Sequence, residues 1–585
     1  MLGSQNRLRI LTLFILLASL ILISKLYFVQ IIAGENFRLR AEHQYVEGGN
    51  LFDRGGIFFS TKDGTLVPAA NVKTGFTLYV NPNQMIEYQN DFELVYQQLS
   101  AIIPINREIF FLRASKVGDP YEEITKHLDQ DTVEKIKALK IPGVSATREK
   151  WRVYPGETMA AHIIGLVGYA GDEYAGRYGL ERSYEKVLKR ESDGLFVNFF
   201  AEIFSNIKTT VNNEGLDGDI ITTIEPSVEA FLESELEKVT QRYSSDFTGG
   251  IVMDPNTGEI VAMALTPTFD PNTPGTASDA SVFSNKLVED RYEMGSIIKA
   301  LTYSIGLDTK AITAKTTYND PGCMILNTET FCNYDGKSHG SAVTMQSAIN
   351  QSLNTGAAFV ALRVGNKKFS DYMLKFGLDE KTGIDLPNEG NSLVSNLKTN
   401  RSLELAQASF GQGIALTPIG TVRALSALAN GGTLITPHLV KEVRYKIGTS
   451  KNIDYPKAGE GTRVISQEAS QDLARMLTEV VDRSLRFGQM RLENYSVAAK
   501  TGTAQIANPD GGGYYEDRSL HSFFGYFPAY EPRFLVFFFT YYPKEVQFAS
   551  ETLTDSFFNM TKFLINYYNI PPDRQVAPPE SVSLN

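Results

Sequence analysis

Cysteine is scarce in this chain, and long basic runs are missing. Two cysteines, Cys323 and Cys332, stand among 585 residues, too few for a disulfide framework. The net charge is −11 and no long Lys/Arg run occurs, which argues against a nucleic-acid-binding protein. No internal repeat is present, and low complexity is confined to the tail from Pro571, which we expect to be disordered. Length and composition suit a globular protein of two or three domains.

Long hydrophobic runs are also absent, except at the N-terminus. Residues 10–24 carry no charge, Lys25 follows, and residues 26–33 are again mostly apolar. A helix of about 24 residues spans a bilayer core of about 30 Å. Arg7 and Arg9 precede the run, which favours a cytoplasmic N-terminus. The alternative is a cleaved signal peptide, but no clear cleavage site is visible. We therefore predict a single-pass protein of the cytoplasmic (inner) membrane, with most of the chain outside the cytoplasm.

One short stretch, Glu293–Lys299, places Ser296 and Lys299 three residues apart at the predicted start of a helix. At that spacing both side chains lie on one helix face. A serine hydroxyl needs an adjacent base to act as a nucleophile. Lys299 can be that base only if burial or a second cation lowers its pKa far below about 10.4. Because the pair alone also fits a solvated helix turn, the catalytic interpretation depends on other motifs.

Two further motifs follow in order, Ser352-Leu353-Asn354 and Lys500-Thr501-Gly502-Thr503. Taken singly, Ser352 also fits a helix cap and Lys500 a surface lysine. Together with Ser-x-x-Lys, they are typical of penicillin-binding proteins and serine β-lactamases. From its N-terminal segment to about residue 568, the sequence resembles a class B penicillin-binding protein, a monofunctional peptidoglycan D,D-transpeptidase.

The resemblance implies an architecture and domain boundaries. We expect an α/β transpeptidase domain of the serine β-lactamase type, with a mainly antiparallel central sheet between helices. It would stand on an elongated α+β pedestal domain that follows one N-terminal transmembrane helix. The predicted segments are a cytoplasmic tail (1–9), the anchor (10–33), the pedestal or dimerisation-type domain (34–215), the transpeptidase domain (216–570) and a disordered tail (571–585).

Other landmarks fit the same family. His162 lies in an Ala-His-Ile-Ile-Gly motif of the pedestal, where the resemblance implies a packing and hydrogen-bonding role. Met294 departs from the family, which commonly has proline before the Gly-Ser pair. Residues Thr382–Pro387 are predicted to form a strand and turn. The chain could serve wall elongation or septation, and the region from Gly165 to Glu181 favours elongation.

The resemblance assigns catalytic roles position by position. Ser296 would be the nucleophile and Lys299 its general base. Ser352 would relay a proton to the leaving amine, and Asn354 would hydrogen-bond Lys299 and the substrate backbone. Lys500 would lower the pKa of Lys299 and attract the terminal carboxylate of the substrate.

Substrate-binding roles follow in the same way. The hydroxyls of Thr501 and Thr503 would bind the carboxylate, and Gly502 would let the substrate approach the strand closely. Backbone N–H groups of Ser296 and Thr503 would form the oxyanion hole. No cofactor is expected.

The sequence also limits the reaction and its partners. No Glu-x-x-Leu-Asn element stands between Asn354 and Lys500, and Glu389 and Glu404 lie in other contexts, so β-lactam adducts should be long-lived. No glycosyltransferase domain precedes the pedestal, and the resemblance implies a separate SEDS-family glycosyltransferase as partner, with other membrane proteins of wall synthesis. The alternatives are a D,D-carboxypeptidase, a membrane-anchored β-lactam receptor or a non-catalytic scaffold.

Three interpretations compete for the two cysteines. Outside the membrane, Cys323 and Cys332 could form a disulfide, which is the interpretation we favour. They could instead remain as free, buried thiols. In the third, they would bind zinc with His339 and an acid such as Asp335.

Overall fold

The computed structural model describes residues 53–170, 173–190, 217–326, 328–446, 450–508 and 511–574. The predicted cytoplasmic tail, the predicted anchor and most of the predicted C-terminal tail lie outside these ranges. Among the described residues, no helix combines the length and apolarity needed to cross a membrane. The described chain forms two compact units, a smaller one of Val72–Trp151 with Asp53 and a larger one of Arg54–Asn71, Arg152–Arg190 and residues 217–574.

The smaller unit contains strands and four helices around its own core. Its central strand is the second part of Leu66–Val80. The strands Glu122–Leu128 and Val144–Val153, most of which belongs to this unit, both pair with that central strand. Its helices are Pro82–Glu87, Phe92–Ser100, Arg107–Ala114 and Gln130–Ala138. Apolar side chains at helical spacing, such as Val95 and Leu99, fill the core. The carboxylate of Asp129 caps the last helix by accepting from the N–H of Thr132 at 2.7 Å.

A five-stranded sheet is the centre of the larger unit. Its strands, in spatial order, are Ala498–Ala507, Tyr514–Phe527, Phe534–Tyr541, Phe247–Met253 and Ile260–Thr266, and every neighbouring pair is antiparallel. The last two strands are mostly apolar and almost wholly buried, because helices cover both faces of the sheet. Ile251 and Met263 enter the core on one face, whereas Val252 and Ala262 enter the core on the other.

The helices divide between these two cores. Residues of Pro226–Tyr243 and Thr554–Tyr567 pack in one core, and residues of Lys299–Asp308, Pro418–Ala429 and Gln467–Glu479 pack in the other. The predicted α/β domain, with a mainly antiparallel sheet between helices, is therefore confirmed.

A second, mixed sheet also contributes to the larger unit. The strand Ile57–Ser60 runs antiparallel to the first part of Leu66–Val80 and parallel to Gly218–Thr222. The strand Val440–Tyr445 pairs antiparallel with Gly218–Thr222, and Lys451–Asn452 pairs antiparallel with Val440–Tyr445.

The larger unit also contains further strands, helices and helical turns. The strands are Val167–Ala170, Glu173–Gly176, Thr317–Asp320, Cys323–Leu326, Glu329–Cys332, Gly340–Thr344, Thr433–Leu434 and Thr462–Arg463. The helices are Ala161–Ile164, Gly179–Ser183, Glu185–Leu188, Met345–Asn350, Asn354–Val364, Asn366–Lys375, Ser402–Ala408 and Ala549–Thr552. Helical turns of other types are Pro274–Thr276, Ala280–Phe283, Gly295–Ile298, Ser395–Lys398, Val480–Ser484 and Leu485–Gly488.

Candidate active site

Ser296 lies in a tight helical turn, Gly295–Ile298, that leads directly into the helix Lys299–Asp308. The predicted helix start is therefore confirmed, and we call residues 295–298 the Ser296 turn. Gly295 has φ of 62°, a conformation that residues with a Cβ rarely adopt. A Cβ at Gly295 would also lie 2.7 Å from the carbonyl oxygen of Thr503. The turn thus approaches the strand Ala498–Ala507, which we call the Lys500 strand.

Gly502 allows the same close approach from the side of the strand. A Cβ there would lie 2.4 Å from the hydroxyl of Ser522 and 2.7 Å from the carbonyl oxygen of Met294. That hydroxyl donates to the same Met294 oxygen at 2.8 Å. The space left by the missing side chain is therefore filled by the protein itself, and room for substrate at Gly502 stays a prediction.

The hydroxyl group of Ser352 accepts hydrogen bonds from residues of the other two motifs. Ser352 has φ of 55° and lies between the helices Met345–Asn350 and Asn354–Val364. Such a conformation is uncommon in a residue with a side chain and is often found at functional sites. The Nζ of Lys299 donates to the carbonyl and, at 3.2 Å, to the hydroxyl of Ser352. The Nζ of Lys500 donates to the same hydroxyl at 2.9 Å.

The two lysines are buried without a counter-charge. Lys299 is 0% exposed and Lys500 is 3% exposed. In the part of the chain that the structure describes, neither forms a salt bridge. Burial and the positive charge of Lys500 hold the pKa of Lys299 well below its usual range. Burial lowers the pKa of Lys500 to about 7. Lys299 therefore has the properties of a neutral amine base.

Asn354 and Thr503 belong to the same motifs as Ser352 and Lys500. The amide Nδ2 of Asn354 donates to the carbonyl of Cys332 at 2.9 Å, and not to Lys299 as predicted. The hydroxyl of Thr503 accepts from the N–H of Ala549 at 3.1 Å. Because the Lys500 strand is at the edge of its sheet, backbone groups on its outer side are not used by a neighbouring strand of that sheet. A peptide substrate could pair with them.

Cys323 and Cys332 form a disulfide that joins the two strands of a hairpin. The favoured interpretation is confirmed, and the free-thiol and zinc interpretations are wrong. Both sulfurs are used in the bond, and Nδ1 of His339 contacts the carboxylate of Asp320 at 2.7 Å. The described residues contain no cluster of His, Cys, Asp and Glu that could hold a metal.

Sequence reasoning did not assign a function to Glu293 or Ser522. The Glu293 carboxylate accepts from the N–H of Gly413 at 3.0 Å and from the hydroxyl of Tyr514. These bonds connect the segment before Ser296 to a loop and to the start of the strand Tyr514–Phe527. The sequence signal for Glu293 is its place three residues before the nucleophile candidate, and Ser522, inside the strand Tyr514–Phe527, has no local signal. His162, predicted to be structural, is buried and contacts the carbonyl of Val282 at 2.9 Å.

Comparisons with known proteins identify the family and the fold. The family described as penicillin-binding protein transpeptidase domain matches residues 248–559, and the penicillin-binding protein dimerisation domain matches residues 53–222. Stage V sporulation protein D of Bacillus subtilis (strain 168) is 30% identical over 551 residues, which cover 91% of this chain and 81% of that protein. A probable peptidoglycan D,D-transpeptidase FtsI of Caulobacter vibrioides is 28% identical, covering 84% and 74%. Penicillin binding protein 3 of Mycobacterium tuberculosis, solved in complex with aztreonam, has the same fold, with a TM-score of 0.67 at 21% identity over 90% of this chain and 98% of that one.

Proposed function

Because the chain belongs to the penicillin-binding protein transpeptidases, we propose that it cross-links peptidoglycan stem peptides through an acyl-enzyme on Ser296. The family match covers residues 248–559, which contain all three motifs. One observation carries the assignment of roles. Two buried lysines from different motifs donate to the same Ser352 hydroxyl, beside the turn that holds Ser296.

The reaction has two steps. Neutral Lys299 takes the proton of Ser296, whose oxygen attacks the penultimate D-Ala carbonyl of the donor. The C–N bond to the terminal D-Ala breaks, and Ser352 relays the proton held by Lys299 to the leaving amine. An amine of a neighbouring stem peptide then attacks the ester and gives a proton to Lys299, which is neutral again. The bond between the acyl carbon and the Ser296 oxygen breaks, the oxygen takes that proton back, and the cross-link is formed.

The donor is bound by groups on both sides of the scissile bond. Protonated Lys500 and the hydroxyls of Thr501 and Thr503 bind the terminal carboxylate of the donor. Asn354 binds the donor backbone on the acyl side. Backbone N–H groups of Ser296 and Thr503 stabilise the oxyanion, which contributes about 3 kcal/mol per donor.

β-Lactams acylate Ser296 in the same way and stay bound. A long-lived adduct requires that no carboxylate activates water against the ester. Glu389 accepts from the N–H of Thr382 and Glu404 is paired with Arg401, so both carboxylates are engaged in structural contacts. The Mycobacterium tuberculosis structure, complexed with aztreonam, is consistent with this inhibition.

We further propose a location and a partner. The apolar segment 10–33 anchors the chain in the cytoplasmic membrane, with the catalytic domain outside the cytoplasm. The chain works in elongation or septation beside a SEDS-family glycosyltransferase, which polymerises the glycan that this chain cross-links.

Labelling with a fluorescent penicillin tests the nucleophile. Wild type and the control Ser281→Ala, at an exposed serine, should give a stable adduct, and Ser296→Ala should give none. An adduct of equal yield on Ser296→Ala would refute the assignment. With the polymerase partner and its lipid-linked substrate, dimeric muropeptides identify a transpeptidase, whereas trimmed monomers alone would indicate a D,D-carboxypeptidase.

A further inference from the structure

A buried carboxylate, that of Asp320, binds the residue that follows the Ser352-Leu353-Asn354 motif. Asp320 is 0% exposed. Its Oδ1 accepts from the hydroxyl of Thr355 at 2.7 Å, and its Oδ2 contacts Nδ1 of His339 at 2.7 Å. Both oxygens accept from the amide Nδ2 of Asn333 at 3.1 Å. The side chains of three residues therefore meet at one carboxylate, which belongs to none of the motifs.

These contacts suit an ionised Asp320. A carboxylate only accepts hydrogen bonds, and the backbone N–H groups of Gly322 and His339 also donate to it, at 3.1 and 2.9 Å. Burial raises the pKa of Asp320, but the hydrogen bonds that it accepts outweigh burial and hold this pKa below its usual range. An amide of the same shape would turn one acceptor oxygen into a donor and lose part of these bonds.

The first turn of the helix Asn354–Val364 depends on Asp320. The N-cap residue of this helix, Leu353, offers no side-chain hydrogen bond. The first N–H groups of a helix have no partner within the helix. Oδ1 of Asn333 accepts from the N–H of Thr355 at 3.1 Å and so takes the place of a cap. Because Asp320 binds both of these side chains, it holds the two partners of the capping contact.

A second path leads from Asp320 to Asn354 itself. The amide Nδ2 of Asn354 donates to the carbonyl of Cys332 at 2.9 Å. Cys332 directly precedes Asn333 in the chain. Likewise, Asn354 directly precedes Thr355. The donor and the acceptor of this hydrogen bond are therefore each attached to a residue that Asp320 binds.

We propose that Asp320 is a positioning residue that fixes the side chain of Asn354 for the donor peptide. The proposal rests on the proposed function, in which Asn354 binds the donor backbone. Asp320 acts through Asn333 and Thr355 and forms no bond with the donor. A side chain that is already fixed loses little conformational entropy when the donor binds, so the reactive geometry is reached more often.

Acylation by benzylpenicillin measures the effect of Asp320→Asn, which keeps the shape of the side chain and removes its charge. The measured quantity is the second-order acylation rate constant of the full chain, taken with the β-lactam in excess so that it does not depend on the amount of folded protein. We expect this constant to fall about tenfold, because small displacements of a binding group slow a positioned reaction. A constant equal to that of wild type would overturn the proposal.

Asp385→Asn is the matched control. The carboxylate of Asp385 also accepts from two backbone N–H groups, at 2.8 Å each, but its partners Leu439, Val440 and Tyr184 lie outside the three motifs. We expect the wild-type rate constant even if the melting temperature falls. A fall as large as that of Asp320→Asn would make the effect a general loss of stability and would overturn the proposal.

A double-mutant cycle separates positioning from a purely structural role. If Asp320 acts through Asn354, then Asp320→Asn should change the rate constant by less than about twofold once Asn354→Ala is present, because residues of one hydrogen-bond network are not additive. Two effects that multiply independently would contradict this path. A role in folding alone would lower the final amount of adduct and leave the two effects independent.

Thr355 supplies a second test that does not change the buried charge. Thr355→Val keeps the branched shape and removes the hydroxyl that Asp320 accepts from, so the rate constant should fall about threefold. Thr355→Ser keeps the hydroxyl and should restore most of the rate. Equal constants for these two variants would contradict the path through Thr355. Failure of the proposed function itself would show differently, as an adduct that persists in Ser296→Ala.

Discussion

Two regions of the larger unit bury cationic side chains, but only one of them pairs these side chains with carboxylates. In the first, Arg54 and Arg152 approach the two carboxylate oxygens of Glu181 at 2.5 and 2.6 Å, and all three side chains are at most 1% exposed. In the second, Lys299 and Lys500 are buried with a shared hydroxyl between them. We call the first region the Glu181 cluster.

The difference separates a structural site from a reactive one. In the Glu181 cluster the two guanidinium groups are compensated by two carboxylates, because Glu185 also pairs with Arg54 at 2.6 Å. Tyr154 adds a hydrogen bond to the carboxylate of Glu181 at 3.3 Å. The two lysines have no such compensation, so burial disfavours their protonated forms and lowers their pKa values. Uncompensated burial is what converts an ordinary lysine into a base.

The largest expected effect is on catalysis at the uncompensated region. Lys299→Met removes the base, so the acylation rate constant for a fluorescent penicillin should fall about a thousandfold. The melting temperature should not fall, because the variant no longer buries an amine. Lys310→Met, at an exposed lysine paired with Glu468, is the control. Near-normal acylation by Lys299→Met would place the base elsewhere.

The next effect is on stability at the compensated region. Glu181→Gln leaves two buried guanidinium groups without their shared carboxylate, and we expect the free energy of unfolding to fall by about 3–5 kcal/mol. Glu468→Gln breaks an exposed pair and should cost less than about 1 kcal/mol. Denaturant unfolding measures both, and acylation per folded molecule should be retained in each. Equal stability of the two variants would contradict the comparison.

The smallest effect is the pH dependence of acylation. The rate should rise with pH as Lys299 loses its proton, and fall as Lys500 loses its proton with a pKa of about 7. Each limb should change by about tenfold per pH unit. Lys500→Arg keeps its charge at all accessible pH values, so its alkaline limb should disappear even if its maximum rate is lower. An alkaline limb unchanged in Lys500→Arg would assign it to another group.

Local patterns made much of the fold predictable. The helix from Pro226, the apolar hairpin of Phe247–Met253 and Ile260–Thr266, and the helix after Ser466 all follow from periodicity and capping. The predicted strand at Thr382–Pro387 is wrong. There the carboxylate of Asp385 accepts from the N–H groups of Leu439 and Val440 at 2.8 Å each, so the segment is held by a side chain and not by a strand ladder.

In the candidate site, too, local sequence patterns and tertiary contacts supplied different information. The sequence by itself determined which residues are the catalytic candidates, because Ser-x-x-Lys, Ser-x-Asn and Lys-Thr-Gly are local spacings of reactive groups. Only the tertiary structure decided which groups meet: both lysines at the hydroxyl of Ser352, the amide of Asn354 at Cys332, and the Ser296 turn against Gly502. These contacts join residues far apart in the chain. Their distances depend on how the core packs, and no local period of the sequence encodes that packing.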